Sequence, residues 1–186
     1  HGHHRRQRQM CIRDRAANVV DYPFGAAYKS GWNLAEEFVN MYLGNGGEFF
    51  GDGNSPAINN AAGVKSLETM KKLTAYMDPE YLTSDSTYAQ KQMQQEKIAM
   101  AYLWATRAAA MDNAEESKVV GKIVMASAPI GDVRPASTLW WDGIVIAKNI
   151  SDSKADAAFK VAMEGLDTEM VTANNDDAVW LITGFK

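Results

Sequence analysis

The 186 residues carry a formal net charge of −4 at pH 7, and 46% of them are hydrophobic, which is enough for a packed core. A chain of this length forms one ordinary domain or parts of two. Its acidic balance argues against a nucleic-acid partner, whose phosphates require a cationic surface. No apolar run approaches the length that spans a membrane.

The first fifteen residues are predicted to be foreign to the protein and disordered. Residues 5–15, RRQRQMCIRDR, match the in-frame translation of a transposase-type sequencing adaptor, which is favoured over a basic nucleic-acid or membrane arm. The three histidines His1, His3 and His4 lie in the same stretch, so HGHH does not indicate a metal site.

Leaving residues 1–15 out changes what the composition implies. Lys+Arg falls from 19 to 14 and Asp+Glu from 23 to 22, so the formal charge becomes −8. The single cysteine, Cys11, is lost with the histidines. Disulfides, thiolate chemistry, the usual general base and the commonest metal ligand are then missing, which argues against an enzyme. No cofactor and no metal are expected. The apolar end at residues 181–186 predicts an internal fragment of a longer protein.

Three helices are predicted in the first half of the chain. Residues 34–43 form the first, which ends at Gly44, where glycine can adopt a left-handed capping conformation. Residues 60–77 form the clearest amphipathic helix, and Asp78-Pro79 ends it. Its apolar positions recur at helical spacing: Val64, Leu67, Met70, Leu73 and Met77. Residues 84–95 form the third.

Three apolar runs are predicted to be strands, at residues 98–103, 122–126 and 139–147. Gly143 in the last run marks a bulge or a close approach of the backbone to another group. After it, residues 155–166 form a helical apolar stripe that Ser151 or Ser153 could cap. The alternation of helices and strands predicts the α/β class.

Tryptophans beside charged groups are the best candidates for a binding site. Arg107 follows Trp104 by three residues, and Asp142 stands next to Trp141. A sugar ring has apolar faces and a rim of hydroxyls, so flat indoles and charged planar groups match it. A hydroxyl could donate to Asp142 while accepting from Arg107.

Further aromatic and acidic candidates are weaker. Only one of Trp140 and Trp141 can face a ligand, because adjacent strand residues point to opposite sides. Trp32 either reaches the same cleft or packs against the helix that follows it. In the alternative interpretation all of these tryptophans are packing residues. Glu36 and Glu37 point to different faces of a helix and are predicted to be solvated.

The order of these features resembles family 1 extracellular solute-binding proteins, the sugar-capturing components of bacterial ABC importers. In that family a glycine pair and an apolar-aromatic strand precede a loop and the long helix, and residues 46–50 correspond to the glycine pair and the strand. Residues 93–100 correspond to the family's Phe-x-x-Gly-Lys-x-Ala-Met pattern, with Met93 in place of the aromatic and Glu96 in place of the glycine. Trp104 then matches the tryptophan that begins the ligand wall, and residues 140–148 match the later aromatic, glycine-containing strand.

The resemblance implies a periplasmic-binding-protein type II-like fold in which two α/β lobes close over the ligand. Residues 16–186 would then be a partial solute-binding domain, mostly the second lobe plus a return segment into the first. The implied ligand is a sugar, oligosaccharide or polyol, delivered to ABC permease subunits at the membrane. The implied location is the periplasm or, with a lipid anchor, the cell exterior. A monomer without covalent chemistry is expected.

The candidate ligand-binding residues that follow from the resemblance and the residue chemistry together are Trp104, Arg107, Trp141, Asp142, Trp140 and Trp32. Two other functions remain open. A glycan-active hydrolase would use Asp142 and a second carboxyl group about 5 to 10 Å away. An α/β interaction domain would present the tryptophans to a protein partner.

Overall fold

The computed structural model describes residues 19–139 and 142–173. The chain divides into two compact units, one ending at Thr138 and the other beginning at Leu139. Every helix in the described ranges is too short or too polar to cross a lipid bilayer. The predictions for residues 1–18, 140–141 and 174–186 lie outside the described residues.

The first unit contains a two-stranded parallel sheet. Strand β1 (Tyr22–Gly25) pairs with β2 (Ile98–Ala101), with Tyr22 beside Ile98 and Gly25 beside Ala101. The strand predicted at 98–103 is therefore confirmed over its first four residues. Strand β1 was not predicted, because four residues that include a proline carry almost no periodic signal. Its extended state depends on pairing with residues more than seventy positions away.

Three helices lie between the two strands: α1 (Trp32–Gly44), α2 (Ala61–Leu73) and α3 (Ser86–Gln94). Each is within a few residues of its prediction. Helix α2 begins where the Asn60 side chain accepts the N–H of Gly63 at 2.9 Å. Helix α3 begins where Asp85 accepts the N–H of Tyr88 at 2.9 Å. A 3₁₀ turn, Thr74–Tyr76, follows α2 and stops before Asp78-Pro79.

The glycine that takes the left-handed conformation after α1 is not the predicted one. Gly44 remains helical, and Gly46 has a φ of 82° instead. The N–H groups of Gly46 and Gly47 donate to the carbonyls of Leu43 and Tyr42 at 3.0 and 2.8 Å. The positive φ falls two residues later because these bonds add one more turn before the chain reverses.

The predicted apolar face of the second helix is buried only in part. Met70 and Met77 are buried as predicted. Val64 and Leu67, however, are 54% and 58% exposed, and Ser66 is buried instead. The Ser66 hydroxyl accepts from Asn45 Nδ2 at 2.9 Å, just beyond the end of α1. A small side chain here lets the two helices approach closely. Periodicity therefore identified the helix and its buried C-terminal face, but it assigned the wrong face to the first turns.

Two predicted strands are absent from the described residues. Residues 122–126 and 142–147 have no strand pairing, and Val124 and Val145 are 88% and 89% exposed. At residues 46–50, where the resemblance implied a strand, there is one isolated bridge between Phe50 and Pro56. An apolar run becomes a strand only where a neighbouring strand accepts its hydrogen bonds, and the described residues provide none for these runs.

The second unit contains helices α4 (Asp152–Gly165) and α5 (Thr168–Ala173). Helix α4 confirms the helix predicted over 155–166. Ser151 occupies the capping position, but its hydroxyl lies 3.2 Å from the Ser153 hydroxyl and makes no capping bond. The predicted apolar stripe stays exposed, with Phe159 at 57%.

The packed interior of the first unit forms two clusters of buried hydrophobic residues. The first cluster consists of Ala26, Tyr28, Met70 and Met77, and the second of Met93, Ile98, Met111 and Val119. Partly buried side chains from both strands pack against them, including Phe24 from β1 and Ala101 from β2. The clusters hold β1, β2 and the helices together and so fix the segments that follow each strand.

Tyr42 is expected to stabilise the loop between α1 and α2 strongly. Its fully buried hydroxyl donates to the Glu48 carbonyl at 2.6 Å and accepts from Asn60 Nδ2 at 2.9 Å. Replacing Tyr42 with phenylalanine leaves both partners without their bond, so we expect the free energy of unfolding to fall by about 1–3 kcal/mol. Urea denaturation measures the change. Tyr76→Phe is the control, and equal effects in both variants would contradict this role for the Tyr42 hydroxyl.

Candidate ligand-binding site

A cleft of about 1240 Å³ opens in the first unit. Its walls come from α1, the turn after α2, β2 with the turn that follows it, and the segment between Lys122 and Thr138. The Tyr102 hydroxyl donates to the Ala136 carbonyl and ties this segment to the end of β2. The cleft exceeds the roughly 300–1,000 Å³ of typical small-molecule sites, so it can accommodate a sugar or a short oligosaccharide.

Two tryptophans stack on one another at this cleft. Trp32 begins α1, and Trp104 immediately precedes the 3₁₀ turn Ala105–Arg107. Their ring centroids are 5.5 Å apart and their planes differ by 20°. Stacking a ligand between two rings requires about 3.5–4 Å on each side, so this gap admits none. The pair offers an outer aromatic face, and Trp32 is 50% exposed.

Arg107 is held in place beside this aromatic pair. Its Nη1 donates to Gln90 Oε1 at 2.7 Å and its Nη2 to the Ser86 hydroxyl at 3.0 Å, both on α3. Its backbone N–H donates to the Trp104 carbonyl at 2.9 Å. A guanidinium group has five N–H donors, so donors remain for a ligand after these two side-chain bonds. The structure thus places Trp104 and Arg107 at one cleft, as their spacing suggested.

Removing the guanidinium should loosen the turn that carries Trp104. We expect Arg107→Ala to lower the free energy of unfolding by about 1–2 kcal/mol, since two partly buried hydrogen bonds are lost. Chemical denaturation of the variant measures this. Arg107→Lys should recover only part of the loss, because an ammonium group lacks the fork geometry. Arg134→Ala, on the exposed surface, is the control, and a loss as large there would argue against a specific role.

The remaining predicted site residues belong to the second unit. Asp142 is exposed. Trp140 and Trp141 lie outside the described residues. The pairing of Asp142 with Arg107 across one ligand therefore stays a prediction, and so does the choice between the two tryptophans.

Glu37 is buried, contrary to the prediction that it is solvated. Its side chain is 5% exposed, and Oε1 accepts the Ala27 N–H at 3.1 Å. Burial raises the pKa of Glu37 to about 8, the charge of Glu36 adds to this, and the bond from Ala27 opposes it. The Glu37 carboxyl group is therefore mostly protonated at neutral pH. Burial, and then the charge of Glu37, raise the pKa of Tyr28 and Tyr102 as well.

A polar stripe of α1 that was not predicted lines the cleft. The stripe consists of Asn33, Glu36, Glu37 and Asn40. The sequence does contain a signal for this stripe. Glu37 stands three residues after Leu34 and four before Met41, within the apolar stripe of the helix. A carboxyl group in that position must either end the stripe or be buried.

Two cations at the cleft have acidic partners. Lys65 forms an ion pair with Asp132, and Lys122 with Glu96 at 2.6 Å. Across residues 19–139 and 142–173, no three histidine, cysteine or acidic side chains are grouped so as to hold a metal ion. The cleft thus combines an aromatic face, a fixed guanidinium and a polar helix face, which together can bind a polar, hydroxyl-bearing molecule without covalent chemistry.

Known proteins resemble this chain in fold. A solute-binding protein of an ABC transporter from Agrobacterium radiobacter K84, solved with ribitol, has a TM-score of 0.76 and 22% identity over 91% of this chain and 45% of its own. The maltose-bound MalE3 of T. maritima has a TM-score of 0.72 and 16% identity over 92% and 44%. A solute-binding protein from Agrobacterium vitis S4 with D-mannitol has a TM-score of 0.69 and 16% identity over 95% and 42%.

These likenesses confirm the predicted α/β periplasmic-binding-protein fold, and the chain spans about 45% of the length of the first of these structures. No curated protein matches the chain significantly. The model of the bacterial extracellular solute-binding protein family matches residues 13–164, most of the chain. The chain therefore belongs to the bacterial extracellular solute-binding protein family.

Proposed function

We propose that this chain is part of the substrate-binding component of an ABC importer, which captures a sugar, oligosaccharide or polyol in a cleft between two lobes. The stacked Trp32–Trp104 pair beside the fixed guanidinium of Arg107 is the observation that carries the proposal. Family membership supports it. So do the structural relatives, whose ligands are ribitol, maltose and D-mannitol.

Each proposed contact has a physical role. The outer face of the tryptophan pair would lie against the C–H groups of the ligand, and Arg107 would donate to its hydroxyls. Trp141 or Trp140, with Asp142, would supply further stacking and hydrogen-bonding contacts to the ligand. Micromolar affinity requires about 8 kcal/mol, which stacking and charge-assisted hydrogen bonds in a dehydrated cleft supply.

The complete protein would act by closing on its ligand. Contacts from both lobes would favour the closed form over the open one, since a ligand shifts an equilibrium only by its difference in affinity for the two states. The closed form would deliver the ligand unchanged to the permease subunits.

We further propose that residues 16–186 are the solute-binding part of the chain and that residues 1–15 derive from an adaptor. The protein would work as a monomer, either in the periplasm or lipid-anchored outside the cell.

A titration of the 186-residue chain tests the proposal. Ribitol, D-mannitol, maltose and a chitooligosaccharide are added separately while tryptophan fluorescence and melting temperature are followed. We expect at least one to produce a saturable fluorescence change and to raise the melting temperature, because a ligand that binds the folded form stabilises it. The ligand should be recovered unchanged. No response to any of the four, or release of a hydrolysis product, would contradict the proposal.

A further inference from the structure

Two oxygen atoms on α1 are buried without a hydrogen-bond partner among the described residues. They are Glu37 Oε2 and Asn40 Oδ1, on residues that are 5% and 9% exposed. The two residues stand three apart on the helix and so share a face, and both line the cleft. The hydroxyl of Tyr28, which is close enough to respond to the charge of Glu37, is a third buried oxygen of this kind.

We propose that Glu37 and Asn40 form a recessed polar subsite of the cleft that receives a hydrogen-bond-donating group of the ligand, either a hydroxyl or an ammonium. This inference rests on the proposed function and adds to it, since neither residue was among the predicted contacts. It assigns to α1 the recognition of one end of the ligand, next to the aromatic face at Trp32.

The chemistry of the two orphan atoms selects the ligand group. A buried polar oxygen without a hydrogen-bond partner costs free energy, and a ligand group that supplies the partner removes that cost. An amide oxygen is an acceptor only, so the group that satisfies Asn40 Oδ1 must be a donor. Both oxygens are covered in this conformation, but the terminal torsions of Glu and Asn side chains are broad, so each oxygen can turn toward the cleft.

The surroundings of Glu37 allow both kinds of donor. The titratable groups that influence it are Glu36 on α1, Tyr28 after β1 and Tyr102 after β2, and all three are acidic. A hydroxyl can accept from the protonated Glu37 carboxyl group while it donates to Asn40 Oδ1. An ammonium would instead favour the ionised carboxylate, because an opposite charge stabilises it. The charge state of Glu37 in the complex therefore distinguishes a neutral polyol from an amino sugar.

Carbon-13 NMR of the full chain, labelled at the glutamate carboxyl carbons, measures the protonation and environment of the Glu37 carboxyl group directly. Glu37→Gln identifies the Glu37 signal by its loss. The probes are ribitol and D-mannitol as neutral donors, and D-glucosamine and methylammonium chloride as ammonium donors, at pH 7. We expect saturable movement of the Glu37 signal with at least one probe. A neutral probe should leave the carboxyl group protonated, and an ammonium probe should shift the signal toward the carboxylate position.

Tryptophan fluorescence of the same samples tests the proposed function separately from the polar subsite. A fluorescence change without movement of the Glu37 signal would overturn the subsite and leave the proposed function standing. Movement of the Glu37 signal with methylammonium or D-glucosamine but no fluorescence change with any sugar or polyol would support the subsite and contradict the proposed function. No response in either signal would overturn both.

Substitutions give an independent measure of the same subsite. For a probe that binds, we expect Asn40→Leu to weaken binding about tenfold, and Glu37→Gln to do so for an ammonium probe, which needs the carboxylate. Glu68→Gln on the exposed side of α2 should change nothing. Glu37→Gln keeps the shape of the side chain and an acceptor for the Ala27 N–H, so the fold is retained. Unchanged affinity in both cleft variants, with melting temperatures confirming that they fold, would refute the subsite.

Discussion

Replacing Trp104 with alanine should weaken the binding of the tightest of ribitol, D-mannitol and maltose by about 30-fold or more. Trp104 backs the exposed ring of Trp32 at a centroid distance of 5.5 Å, so its loss removes one aromatic surface and frees the other to rotate. Tryptophans at the centre of a binding site commonly contribute about 2 kcal/mol or more, and this corresponds to about 30-fold in affinity. Isothermal titration calorimetry of the two proteins measures the difference.

Two further variants show whether the effect belongs to the aromatic pair. Trp104→Phe retains a flat ring and should lose less affinity than Trp104→Ala. Phe159→Ala removes an exposed aromatic from α4 and should leave affinity unchanged. If Trp104→Ala bound the ligand as tightly as the unaltered chain, with a normal melting temperature, the tryptophan pair would have no part in binding.

The stability of the chain should fall as the pH rises from about 4.5 to 8, because of Glu37. In the unfolded chain this carboxyl group releases its proton near its ordinary pKa of 4.5, whereas in the folded chain burial holds the pKa at about 8. Between these values the folded form binds more protons, so each pH unit lowers the free energy of unfolding by about 1.4 kcal/mol. The total contribution is on the order of 5 kcal/mol, fully lost above about pH 8.

Urea denaturation across pH 4 to 9 measures this contribution, and Glu37→Gln isolates it. Glutamine does not titrate, so the variant should show a flatter dependence and should be more stable than the unaltered chain above about pH 8. Glu36→Gln is the matched control on the neighbouring, half-buried position. A pH dependence that is the same in the unaltered chain and in Glu37→Gln would show that Glu37 ionises normally in the folded state.

The helices could be predicted from the sequence because their signals are local. Asn60 and Asp85 cap α2 and α3 with their own side chains, and the chain needs no distant partner to stop at Asp78-Pro79. The strands depend on remote partners. An apolar run at 98–103 formed a strand because residues 22–25 pair with it, and similar runs at 122–126 and 142–147 have no such partner among the described residues.

The residues of the candidate site also differ in how far the sequence could predict them. Trp104 and Arg107 were found because both stand close together in the sequence and carry distinctive side chains. Trp32 is brought to Trp104 by the fold, across some seventy residues, and sequence alone left its role open. The prediction that Glu37 is solvated was wrong, because adjacent residues of a helix occupy different faces and only one of the two, Glu37, lies on the buried face of α1.

The most direct test of sugar or polyol capture is nitrogen-15 NMR of the tryptophan indole N–H groups in the full chain. Trp32→Phe and Trp104→Phe assign the two signals, and ribitol, D-mannitol and maltose are titrated in turn. We expect at least one ligand to move the Trp32 and Trp104 signals together along one saturation curve. Signals that stay fixed with all three ligands at millimolar concentration would contradict a sugar- or polyol-binding cleft at this aromatic pair.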